Sequence, residues 1–132
     1  MNTEVLPTYF KAKVLADEVL AVLAKERYDE ETKNGVPENE RFAGISLRPG
    51  ILTEEKAGGV KIGRTVSRGN TSRATVAETI VKVLETDSVR GWIDVLDGEE
   101  DIGEAVKRVV DEGVDSVEGE DWEEMKRTVA SL

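Results

Sequence analysis

From Thr8 to about Arg27 the apolar residues Ala12, Leu15, Ala16, Val19, Leu20, Val22 and Leu23 recur three and four positions apart, with Lys11, Asp17, Glu18, Lys25 and Glu26 between them. That spacing predicts a helix with a wide apolar arc, suited to lying on a sheet. Asp29 to Glu40 is acidic, contains Asn34-Gly35 and Pro37, and lacks apolar periodicity, which predicts a solvated loop. Phe42 to Leu47 is nearly free of charge and is stopped by Pro49-Gly50. A short apolar run without alternation predicts a strand buried on both faces, as in parallel sheets. A glycine-rich stretch from Thr53 to Ser72 follows, with at most one short strand near Val60 to Val66. Ser72 is placed as the N-cap of a helix running to about Thr86, with Val76, Ala77, Ile80, Val81 and Leu84 on its apolar face and a Glu78 to Lys82 pair supporting it. Trp92 to Leu96 predicts a second strand. Asp101 with Glu104 predicts the cap of a third helix to about Asp111, with Ile102, Ala105, Val106, Val109 and Val110 on one face and Gly113 ending it. The last twenty residues are acidic, and Trp122, Met125 and Val129 are spaced for one short amphipathic helix.

Strands alternating with helices of this length imply a parallel sheet with crossover connections. The predicted fold class is therefore α/β, a partial doubly wound (Rossmann-like) parallel sheet of which only the C-terminal portion is present. Two or three strands are too little sheet for these helices. Residues 1–113 are expected to form the C-terminal half of such a domain, and residues 114–132 an acidic tail with a short helix.

Charge and composition narrow the chemistry. The 132 residues carry 18 Lys and Arg against 28 Asp and Glu, a formal net charge of -10, with a pI near 4.6. Phosphate contacts need clustered cations, so neither nucleic acid nor an anionic membrane is an expected partner. No apolar run approaches about 18 residues, and no basic-then-apolar leader is present, so a cytoplasmic protein is expected. Cysteine and histidine are both absent. Disulfides, thiolate nucleophiles, histidine triads and the usual zinc sites are therefore excluded, and no metal site is expected. Chemistry would fall to Tyr, Lys, Ser, Thr, Asp or Glu, or to a borrowed cofactor.

One pair fits that requirement. Tyr9 and Lys13 stand at i and i+4 on one helix face, with Cβ atoms about 6 Å apart. A lysine cation beside a phenol favours the phenolate that general acid–base chemistry uses. Such a pair is also common on ordinary helices. Arg48-Pro49-Gly50 reads equally as a turn that simply ends a strand. Gly58, Gly59 and Gly63 suit a surface loop or a ligand cradle, and Trp92 and Trp122 suit core and tail anchors.

Taken together, "TYFKAKVLADEVL", "ISLRPGIL" and "SRATVAETIVKVLE", in this order and at these separations, resemble the second half of the short-chain dehydrogenase/reductase superfamily, specifically its atypical NAD(P)H-binding members. The resemblance spans about Thr8 to Asp111. It implies that Tyr9 is the proton donor to a carbonyl, and that Lys13 holds the nicotinamide ribose and tunes the tyrosine. It implies that Arg48, Pro49 and Gly50, with Ile51 and Leu52 just after, form the strand end lying against an NAD(P) nicotinamide. The helix start at Ser72, Arg73, Val76 and Ala77 corresponds to a structural signature. The family's glycine-rich phosphate turn does not occur in these 132 residues. The expectation is the C-terminal part of an NAD(P)-dependent oxidoreductase-like protein, truncated, with little or no activity and no tight NAD(P) binding by this chain alone. A complete form would act on a small carbonyl or alcohol. The expected partners are further copies of itself, as a homo-oligomer, or a complementary N-terminal half. The alternative is a non-catalytic acidic α/β interaction or nucleotide-sensor module.

Overall fold

The computed structural model describes residues 7–65, 68–115, 117 and 120–132. The first helix, α1, spans Pro7–Lys33. Proline opens it at a position where its missing N–H costs nothing. It runs past the expected end near Arg27, so residues 29–33 are helical and not loop. The reason is local: Lys25 pairs with Asp29 at 2.7 Å, Arg27 with Glu31 at 2.6 Å, and the Thr32 hydroxyl donates to the Tyr28 carbonyl at 2.8 Å. Gly35, with φ of 75°, ends the run.

Three strands form the main sheet: β1 (Ile45–Pro49), β3 (Val60–Gly63) and β5 (Gly91–Asp97) in the order β1-β5-β3. β1 runs parallel to β5, with Ile45 opposite Gly91 and Arg48 opposite Asp94, and β3 runs antiparallel to β5. Two three-residue strands that the sequence pattern did not reveal, β2 (Ile51–Thr53) and β4 (Asn70–Ser72), pair in parallel beside it. The chain is thus α/β, a partial Rossmann-like arrangement with a small mixed sheet. The expected strand near Val60 to Val66 is β3 as far as Gly63; Val66 lies outside the described residues.

β5 is central and buried from Trp92 to Leu96. β1, expected to be covered on both faces, is only half-buried from Ile45 to Arg48. It is an edge strand among the described residues, paired on one side alone.

Alternation along β5 serves two cores. Ile93 and Val95 join Val60, Ile62, Ile45 and Leu47 against α3 (Ile102–Glu112), which contributes Ile102, Ala105, Val106 and Val109. Trp92, on the opposite face, packs with Val22, Val117 and Met125, and so joins α1 to the last helix, α4 (Trp122–Ala130). Asp101 caps α3 by accepting from the Glu104 amide at 3.1 Å, and Gly113 ends it with φ of 62°, as the spacing predicts.

α2 (Arg73–Glu85) is capped by Ser72, whose side chain accepts from the Thr75 amide at 2.9 Å. Its buried residues are Thr75, Thr79 and Val83, whereas the predicted inner residues Ala77, Ile80, Val81 and Leu84 face solvent. The threonines can lie inside because their hydroxyls are satisfied locally. Ser72 Oγ donates to Thr75 Oγ1 at 2.7 Å, and Thr79 Oγ1 donates to the Thr75 carbonyl at 2.8 Å. No described helix is long and apolar enough to cross a membrane.

Candidate functional site

The relation between α1 and β1 places the predicted site residues. Ser46 Oγ donates to Asp17 Oδ1 at 2.9 Å, and Gly44 lies so close under α1 that an added Cβ would fall 2.4 Å from the Cβ of Ala24. Helix and strand are therefore antiparallel. The N-terminal end of α1, with Tyr9 and Lys13, points toward the same end of the sheet as the C-terminal end of β1, with Arg48 and Pro49. The two groups of predicted residues, far apart in sequence, share one end of the sheet. Tyr9 and Lys13 are both exposed there, one turn apart.

Arg48 is held from two directions. Its guanidinium stacks over the Trp92 ring, 5.0 Å from the centroid, and its Nε lies 3.8 Å from Asp94 Oδ1. Asp94 is 2% exposed. Its Oδ2 accepts from the amide of Thr65 at 3.0 Å and from the Thr65 hydroxyl at 3.2 Å, while Oδ1 has the Arg48 cation and no hydrogen bond. A carboxylate this deep requires a cation and donors, and Arg48 and Thr65 provide them. The Arg48 side chain remains 37% exposed, so part of its fork of donors faces outward.

The turn after Arg48 is fixed by backbone proximity. The Gly50 amide donates to Thr71 Oγ1 at 2.9 Å and the Ile51 amide to the Gly69 carbonyl at 2.9 Å. A Cβ on Gly50 would lie 2.2 Å from the Gly69 carbonyl oxygen and 2.8 Å from Leu96 Cδ2. Glycine is therefore required by close approach, not by an unusual φ. Pro49, Ile51 and Leu52 are exposed at the same strand end.

Asp17, Ser46, Asp94 and Thr71 were not singled out in the sequence, and Trp92 was read only as a core anchor. One signal was present: an aspartate inside the apolar run "WIDVL" must have a buried partner. Of the glycines of the 53–72 stretch, Gly69 lies against Gly50, and Gly58 and Gly59 lie elsewhere. Gly58 and Gly59 line an open cleft of about 610 Å³ with Glu78, Lys82, Glu99 and Asp101.

Lys13 contributes an ammonium, Arg48 a partly exposed guanidinium and Tyr9 an exposed phenol, groups that hydrogen-bond to hydroxyl and amide oxygens.

No family model matches the chain, and no curated protein matches it. Among solved structures it is similar to the oxidoreductase ylbE from Lactococcus lactis, with 35% sequence identity, 51% of this chain and 31% of that chain covered, and a TM-score of 0.46. The match thus spans less than a third of that protein.

Proposed function

We propose that this chain provides the nicotinamide-ribose end of an NAD(P)-dependent oxidoreductase site. Lys13 holds the ribose hydroxyls, Arg48 to Leu52 line the nicotinamide, and Tyr9 exchanges a proton with the oxygen of a small carbonyl or alcohol. The cofactor, when bound, supplies the hydride chemistry. The observation that supports this reading is the antiparallel lay of α1 on β1, set by the Ser46–Asp17 hydrogen bond and the close approach of Gly44 to Ala24.

The edge of β1, unpaired among the described residues, and the exposed apolar residues Phe10, Val14 and Leu23 of α1 favour further sheet and helix as neighbours, supplied by a complementary polypeptide or another copy. A site that grips only one end of the dinucleotide binds weakly, with a dissociation constant on the order of 1 mM. Titration of NADPH with the chain, followed by nicotinamide fluorescence, is expected to show such binding and its loss in Lys13→Ala. Equal affinity in Lys13→Ala would overturn the assignment.

A further inference from the structure

Of the four asparagines in the chain, Asn34 alone is followed by glycine, and the pair closes α1. The Gly35 amide donates to the Thr32 carbonyl at 3.2 Å and the Val36 amide to the Glu31 carbonyl at 3.0 Å, the two bonds by which a left-handed glycine, here with φ of 75°, ends a helix. Asn34 and Gly35 are both exposed, and a Cβ built on Gly35 would meet nothing within 4 Å. The Asn34 carboxamide and the Gly35 nitrogen therefore adjoin in open space, with no side chain on Gly35 to hinder their approach and with a freely adaptable backbone beside them. What holds the nitrogen is the hydrogen bond to Thr32, at the long end of the usual range and in the last turn of a helix.

We propose that Asn34 is a site of spontaneous deamidation, gated by the last turn of α1. When that turn opens, the Gly35 nitrogen attacks Asn34 Cγ. The N–Cγ bond forms, the Cγ–Nδ2 bond breaks, and Nδ2 leaves as ammonia with the proton from the Gly35 amide. Water then opens the cyclic imide at either carbonyl, giving aspartate or, with the main chain rerouted through Cγ, isoaspartate. No reactant but water is consumed. Either product places an anion where the last carbonyls of α1 already gather negative charge, so the turn that admits the reaction is weakened by it. The gate has named parts. Glu31 accepts from the Phe42 amide at 2.6 Å and pairs with Arg27, and Arg41 Nε donates to the Val36 carbonyl at 2.8 Å. These contacts hold the chain on both sides of Asn34-Gly35, so the opening is a local unfolding step. Asn39 and Asn70 lack these conditions: Asn39 precedes Glu40 within the 3₁₀ turn Glu38–Glu40, and Asn70 precedes the fully buried Thr71 in β4. The reaction is independent of any nucleotide site at the other end of α1.

The full chain, aged at mildly alkaline pH, provides the test. Trypsin frees residues 34–41 as one peptide between the Lys33 and Arg41 cleavage points, so mass spectrometry reads Asn34 and its internal control Asn39 together. Conversion of Asn34 to isoaspartate and aspartate is expected, with Asn39 intact. Glu31→Ala, which releases the last turn from Phe42 and Arg27, is expected to speed the conversion several-fold, and Asn34→Gln to abolish it. An Asn34 that stays intact in the folded chain over the time in which the chain in urea converts, or a rate that Glu31→Ala leaves unchanged, overturns the proposal.

Discussion

Gly50 donates its amide to Thr71 Oγ1 at 2.9 Å, and the same hydroxyl donates to the Val95 carbonyl at 2.7 Å. One fully buried side chain thus joins the main sheet to the β2–β4 pair and fixes the direction in which the chain leaves β1. The exposed strand end proposed to meet the nicotinamide has its shape from this interior contact.

Gly50→Ala is therefore expected to be severe. The new methyl carbon would fall within 2.2 Å of a backbone carbonyl oxygen, which cannot swing aside as a side chain can. A loss of about 3 kcal/mol of stability, measured by urea denaturation, is expected. Thr71→Val keeps the volume and removes both hydrogen bonds, at about 2 kcal/mol.

Asp94 tests the support of Arg48. Asp94→Ala removes the anion beside the Arg48 cation and the acceptor of two Thr65 donors. The expected cost is about 3 kcal/mol, because a buried ionic contact broken from one side leaves its partners poorly solvated. Arg48→Met keeps an apolar stem over Trp92 but leaves the buried Asp94 carboxylate without that cation, and is expected to lower stability by about 2 kcal/mol in urea denaturation.

Much of the fold was legible in the sequence because its signals are local. Ser72 and Asp101 announced the caps of α2 and α3, and Gly113 the end of α3. β5 was legible as "WIDVL". β2 and β4 were not, because three residues are too few to show a period of two. The inner face of α2 was misread for a different reason. Periodicity assigns the core to aliphatic positions, and it cannot foresee that Thr75 and Thr79 satisfy their hydroxyls within one turn and so bury at little cost. The end of α1 was misplaced because ion pairs carried the helix through a stretch without apolar residues. For the proposed site, Tyr9, Lys13 and the Arg48 to Leu52 strand end were singled out from motifs alone. Asp17, Trp92 and Thr71 position the site through contacts across long sequence separations, which no spacing rule reports.

The junction after α1 should respond to acid. Glu31 accepts from the Phe42 amide at 2.6 Å and pairs with Arg27; these contacts, the amide bond first, hold its carboxyl below the usual value of 4.5. A carboxylate with a lowered folded value stabilises the folded state above its unfolded value, and that contribution fades as pH falls through the lowered one. The Phe42 amide proton shift, followed by NMR, is expected to titrate with a midpoint under 4.5, and the Glu31→Gln variant to lose that titration.

The central claim, that α1 and the end of β1 together form the nicotinamide-ribose seat, is tested most directly by mapping NADPH-induced amide shifts across the labelled chain. The account predicts perturbations concentrated at Tyr9, Lys13, Arg48, Gly50, Ile51 and Leu52, growing together with cofactor concentration. Shifts gathered instead around Gly58, Gly59 and Lys82, or none at millimolar NADPH, would contradict it.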